Sequence, residues 1–191
     1  MKKRIVVAVV LAVLLAASAY AQTADFFALV KTGTPQEVQA AIDKGADVNA
    51  RYVNASDKLN NGKTPLISAA ETNGNPEVIT TLLNAGADVN ALQPDGGTAL
   101  LWAAWSNKNP EVITALLKAG ADIKARSGGG RTALIWAALN NWNPEVIVVL
   151  LKAGVDAKVK DFAEMTAFDY AQGNAKLEGT DALKQLEEAS K

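Results

Sequence analysis

The pentapeptide Asn-Pro-Glu-Val-Ile occurs three times, at residues 75–79, 109–113 and 143–147. A Thr-x-Leu step precedes each copy, starting at Thr64, Thr98 and Thr132, and a Gly-x-Asp step follows each, starting at Gly86, Gly120 and Gly154. All three markers advance by 34 residues. A shared period of this length constrains the fold more than any other feature of the chain. A single unit of that size cannot bury its own apolar face, so neighbours must stack to close a continuous core.

Each unit reads as turn, short helix, longer helix, turn. In the unit that opens at Asp95, Asp95-Gly96-Gly97 is a turn signal. Thr98 can cap a short helix from Ala99 to about Trp105, and Ala103 and Ala104 are small enough for close approach of the next unit. Ser106-Asn107-Lys108 is a polar break. Asn109, Pro110 and Glu111 then give an N-cap, a first helical residue and a first-turn carboxylate. Val112, Ile113, Leu116 and Leu117 recur at helical spacing and predict a core face. Gly120 stands where a left-handed residue ends the helix.

Gly62–Leu66 (Gly-x-Thr-Pro-Leu), Ala69-Ala70, Leu82-Leu83 and Gly86–Ala91 together resemble an ankyrin repeat, and the pattern returns at Gly96–Leu100 and Gly130–Leu134. The resemblance covers about Asp25 to Lys191. It implies an all-α solenoid of stacked helix-turn-helix units joined by β-turn fingers. Five units are expected: an N-terminal cap repeat at 25–50, full repeats at 62–91, 95–125 and 129–159, and a C-terminal cap repeat at 161–191. Residues 51–61 form an inserted surface finger, because the step from Gly45 to Gly86 is seven residues longer than the period. Thr34-Pro35-Gln36-Glu37 has capping-box spacing. The final unit carries Glu164 where the others have glycine, and its last helix, about Thr180 to Ser190, turns Leu183 and Leu186 inward beneath a polar outer face. Two departures stand out. The family's histidine after Thr-Pro-Leu is replaced by Ile67, Leu101 and Ile135. The period also exceeds the family's roughly 33 residues, which places an extra residue in the loop Asn73-Gly74-Asn75 and its equivalents.

The N-terminus has the layout of a secretory signal peptide. Lys2, Lys3 and Arg4 precede an apolar run from Ile5 to Ala17, and Ala19-Tyr20-Ala21 fits the cleavage rule. The expectation is an exported bacterial family member cut after Ala21, with no stable membrane anchor thereafter, acting in the periplasm or, alternatively, outside the cell. Loss of three cations from 19 basic residues leaves 16 against 20 acidic ones, a net charge of −4. That balance argues against non-specific nucleic-acid binding.

The chain has no cysteine and no histidine. It therefore cannot build a disulfide, a Cys/His zinc site or a Ser-His-Asp triad. The recurring Asp47, Asp88, Asp122 and Asp156 are turn residues beside glycine, one per unit. They offer neither paired catalytic carboxylates nor a clustered calcium cage. Gly128-Gly129-Gly130-Arg131 lacks the lysine and hydroxyl of a phosphate loop, though a flexible turn there could let Arg131 reach a partner. The expectation is a monomeric, non-enzymatic protein without cofactor or metal.

The resemblance implies that turn tips and the residues just after each Ala-Ala pair line a concave binding face. It thereby assigns partner contacts to Lys63, Gly97 and Arg131 at the tips, and to Glu71, Thr72, Trp105, Ser106, Leu139 and Asn140 along the short helices. Trp102 and Trp136, one period apart, are expected to stack in adjacent units and serve as either core or contact. Trp142, between Asn141 and Asn143, is a further contact candidate. The leading expectation is binding of another protein through this face. The alternative is a cell-wall glycan or peptide ligand held by exposed tryptophans, which would require indole faces with amides beside them.

Overall fold

The computed structural model describes residues 23–191 other than 55, 141 and 142. The expected signal peptide lies outside the described residues. Ten helices are described: α1 over 23–32, α2 Pro35–Asp43, α3 Pro65–Thr72, α4 Pro76–Asn84, α5 Ala99–Ser106, α6 Pro110–Lys118, α7 Ala133–Asn140, α8 Glu145–Lys152, α9 Ala167–Ala171 and α10 Asp181–Ala189. No strand occurs among the described residues. The odd-numbered helices form one layer, with α3, α5, α7 and α9 packed in sequence, and α2, α4, α6, α8 and α10 form the other.

Local chemistry starts nearly every helix. Thr64, Thr98 and Thr132 accept from the backbone N–H three residues on, at Ile67, Leu101 and Ile135, over 3.2–3.3 Å. Those three residues, standing where a histidine was expected, are buried among the core side chains. In the other layer Asn75, Asn109 and Asn143 accept from Glu77, Glu111 and Glu145 N–H. α8 begins one residue later than α4 and α6 in register, yet its Asn143 bond is the same. Thr34 and Glu37 complete the capping box on α2.

The two layers differ in how they bury surface. α5 buries every residue from Ala99 to Ala104, because its neighbours in the stack and α6 enclose it. α6 buries one stripe, Val112, Ile113 and Leu116. Each of these larger aliphatic side chains contributes roughly 1.5–3 kcal/mol by leaving water. In the terminal helix Leu186 is buried and Leu183 packs against the core, while the opposite face stays polar.

Asparagine side chains tie successive units together. Asn73 Nδ2 donates to Val30 O and Gly33 O, Asn107 Nδ2 to Ala70 O and Asn73 O, and Asn174 Nδ2 to Ala138 O. Carbonyls left open near the ends of α1, α3 and α7 are thereby satisfied by the next unit. A second ladder joins the glycine turns. Asn49 Nδ2 donates to Gly86 O and its Oδ1 accepts from Asp88 N; Asn90 repeats this with Gly120 O and Asp122 N.

The fingers are tight turns projecting from the α3–α5–α7–α9 layer. Their bases close through Gln93 N–Gly97 O, Ser127 N–Arg131 O and Asp161 N–Met165 O bonds of 2.9–3.0 Å. The first finger is longer, closed by Tyr52 N donating to Lys63 O. Gln93 Nε2 donates to its Leu59 O and Asn61 O, so this loop is tethered to its neighbour. Gly62, Gly96 and Gly130 hold positive φ at equivalent places, and Glu164 takes the same conformation at φ 60°.

Candidate functional site

Three tryptophans from α5 and α7 form a continuous aromatic row. Trp102 and Trp105 have ring centroids 4.8 Å apart at 61°, and Trp105 and Trp136 are 6.0 Å apart at 56°. The expected stacking of Trp102 on Trp136 is corrected by this geometry: Trp105 stands between them. It lies one helical turn after Trp102, on the same helix face.

A cation sits at each end of the row. Lys63 Nζ lies 3.5 Å from the Trp102 ring centroid. The Arg131 guanidinium carbon lies 4.9 Å from the Trp136 centroid and 5.4 Å from that of Tyr170. Both cations are already engaged. Lys63 pairs with Glu71 Oε2 at 2.6 Å and is fully buried. Burial pushes its ammonium below the ordinary lysine range, and the Glu71 carboxylate opposes that shift. Arg131 Nε donates to Asp161 Oδ2 at 3.2 Å, and the Tyr170 hydroxyl donates to the same oxygen at 2.7 Å. Burial raises the Asp161 carboxyl, but hydrogen bonds from Tyr170, Met165 N, Ala163 N and Arg131 outweigh it and hold the group below the ordinary value.

Two assignments at the tips are therefore corrected. Lys63 is not a tip contact: it lies beneath an indole and is closed off by Glu71. Gly97 is buried too, since a Cβ there would meet Trp102 Nε1 at 2.7 Å. Arg131 keeps 30% side-chain exposure. The loop before it is pinned by Gly128 N donating to Asp95 O and Gly130 N to Ser127 O. It is thus not the free arm that its glycines suggest.

The remaining candidates divide by exposure. Trp102 is only 7% exposed, which settles its open assignment toward core. Trp105, Trp136 and Leu139 are half-buried and pack on the core from the open side. Thr72 and Asn140 are exposed; Asn140 Nδ2 donates to Trp105 O, fixing the end of α5. Ser106 Oγ donates to Glu71 O. Trp142 lies outside the described residues.

Beside the tryptophans lies a cleft of about 270 Å³, lined by Leu59, Gly97, Leu101, Trp102, Trp105, Ser127 and Trp136. Leu59 arrives from the inserted finger, and sequence reasoning did not place it here. Its only signal was the extra length of that loop, with no indication of where the loop would fold. Gln93 was missed as well: buried, it accepts from the Trp102 indole N–H and donates to Leu59 O and Asn61 O, joining finger to helix. Among the described residues no group of three or more acidic side chains is placed to hold a metal ion. No helix among them is long and apolar enough to cross a membrane.

No curated protein matched the chain. A family model described as ankyrin repeats (3 copies) matches residues 26–127, 72–161 and 100–188. Such repeats generally act as non-enzymatic mediators of protein–protein interaction. With the match running through five-sixths of the sequence and the two-layer helical stack in place, the chain belongs to the ankyrin-repeat family.

Proposed function

We propose that this protein is a monomeric, non-catalytic binding module that captures another protein on the face formed by α5, α7 and the finger loops. The observation that carries this reading is the aromatic row Trp102–Trp105–Trp136 beside an apolar cleft. Trp102 is the fixed floor, while Trp105 and Trp136 keep surface available for contact. Aromatic side chains held rigid by their surroundings are characteristic interface anchors, because little rotamer freedom is lost on association. The leader over residues 1–21 motivates the further proposal that capture takes place in the periplasm.

The glycan alternative has less support. Sugar binding calls for free amides beside flat indole faces. The Gln93 amide is buried and spent on Trp102, Leu59 and Asn61, and the tryptophan planes are steeply inclined to one another.

The test is affinity capture from the host periplasm, using protein purified after expression of the full chain. Trp105→Ala is the control, since it removes an anchor without opening the ion pairs at either end. A single protein retained by wild type and lost by the variant is the expected result. Retention of cell-wall fragments with no protein would sink the reading.

A further inference from the structure

The large apolar side chains left exposed among the described residues all belong to the fingers: Val53 and Leu59 to the first, Leu92 to the second and Phe162 to the fourth. Of these, Leu59 also lines the aromatic cleft. It closes the cleft from the finger side, while Leu101, Trp102 and Trp105 come from α5 and Trp136 from α7. Gln93 holds this wall by donating to Leu59 O, so the cleft is shaped before anything enters it. Almost all of the surface it exposes is carbon. The indole N–H of Trp102 is spent on Gln93, and Ser127 Oγ is buried. A charged or polar occupant would lose its water here without replacement. A hydrocarbon side chain would lose only unfavourable hydration. The volume of about 270 Å³ falls below the roughly 300–1,000 Å³ of pockets that enclose whole small molecules, and suits one side chain.

We infer that the cleft receives one hydrocarbon side chain, of leucine or phenylalanine, presented on an acidic segment of the partner protein. The inference deepens the protein-binding reading of this face and rests on it. The sign of the segment comes from the charges around the cleft. The finger segments 51–63, 92–97, 124–131 and 158–165 carry eight basic and four acidic side chains, whereas the chain beyond residue 21 carries 16 basic and 20 acidic. Glu71, outside the fingers, meets the charge of Lys63, which leaves seven against four. Lys58 and Arg126 are exposed and directly precede Leu59 and Ser127 in the lining. Arg131 lies 4.9 Å from the Trp136 ring centroid, though Asp161 offsets much of its charge. Asp57 and Asp95 oppose the cations but do not outnumber them. The fingers are thus positive on a protein that is negative elsewhere, so an acidic segment is drawn to them and repelled by the remaining surface. A recess also calls for a partner that projects, which a flat lipid surface does not.

The experiment titrates the blocked peptide acetyl-Asp-Glu-Phe-Glu-Asp-amide into the methyl-labelled protein, with Leu59→Val assigning the Leu59 signals. One control peptide has serine for phenylalanine, and the other has lysine for all four acidic residues. The Leu59 methyl signals should shift saturably and show through-space contacts to the peptide ring. Serine should weaken binding about tenfold or more, the value of burying one large apolar side chain. The lysine peptide should bind more weakly than the acidic one, and added salt should narrow the difference. Leu59→Glu should abolish binding and move the thermal midpoint by less than about 2 °C, because the side chain is exposed and the finger is held by its carbonyl. Lys58→Glu, which leaves the cleft walls intact, should weaken the acidic peptide about two- to fivefold. Binding of either control as tight as that of the probe, no binding of the probe, or full binding by Leu59→Glu would overturn the inference. So would attachment to vesicles of anionic lipid, or a dimer of the protein itself, that Leu59→Glu removes, since either gives the cleft to another occupant. Partner capture that depends on Trp105 but is indifferent to Leu59→Glu would remove this use of the cleft and leave the protein-binding face standing. Capture indifferent to both substitutions would remove the face as well.

Discussion

The ammonium of Lys63 lies 3.5 Å from the centre of the Trp102 ring and 2.6 Å from Glu71 Oε2. A fully buried cation is tolerated there because a π face and a carboxylate replace its water. Lys63→Ala should cost about 2–4 kcal/mol, the upper end limited because Glu71 keeps some exposure and can rehydrate. The double variant Lys63→Met/Glu71→Leu removes both charges and fills the space with carbon. It should lie within about 1 kcal/mol of wild type. Urea unfolding of both variants checks this, and a double variant as unstable as Lys63→Ala would contradict the account.

Glu164 adopts φ 60° at the place where Gly62, Gly96 and Gly130 sit in the other fingers. A left-handed conformation costs a residue with a Cβ roughly 1–2 kcal/mol, and glycine returns part of that through its freer unfolded chain. Among the described residues the Glu164 carboxylate makes one exposed pair, with Lys160 at 3.7 Å, which is worth little. Glu164→Gly should therefore stabilise the protein by about 0.5–1 kcal/mol. A lower urea midpoint for this variant would show that the side chain has an unrecognised role.

These two positions also show what the sequence could reveal. The glutamate at 164 was visible as a break in the glycine register, and its backbone conformation follows from turn chemistry within four residues. The Asn-Pro-Glu helix starts, the threonine caps and the capping box on α2 were legible for the same reason, because each is a contact between near neighbours in the chain. Lys63 was misread because its surroundings come from Trp102 in the next unit, and a turn-tip position says nothing about what folds over it. The inserted finger was legible as an insertion. Its tether to Gln93, and the arrival of Leu59 beside the tryptophans, depend on packing between units that a repeat pattern does not encode. Arg131 was read as free from its glycine-rich approach, while Asp161 and Tyr170, which hold it, lie one unit further on.

The Asp161 carboxylate makes stability depend on acid. Its folded pKa lies below the ordinary aspartate value of 3.8, so its contribution is fully present above that value. It is lost as pH falls through the lowered one. Glu37 and Asp169 share this behaviour, since hydrogen bonds from their capping threonines depress them too. The informative quantity is therefore the difference in unfolding free energy between wild type and Asp161→Asn. That gap should be constant above about pH 5 and shrink as the solution is acidified below the ordinary value. A gap independent of pH down to 2 would mean that Asp161 is not ionised through its contacts with Arg131 and Tyr170.

Trp102 and Trp105 are one helical turn apart, and their environments predict opposite uses. Trp102 is buried, accepts Lys63 on its ring and donates to Gln93. Trp102→Ala should cost about 3–5 kcal/mol, as large core truncations do, and should leave Lys63 and Gln93 without their aromatic partner. Trp105 is half-buried, and among the described residues its indole makes ring contacts with Trp102 and Trp136, so Trp105→Ala should cost well under half as much while removing an accessible part of the row. Thermal unfolding and partner capture measured on both variants separate the roles. Comparable destabilisation by the two substitutions would make Trp105 a core residue and leave Trp136 to carry the contact face.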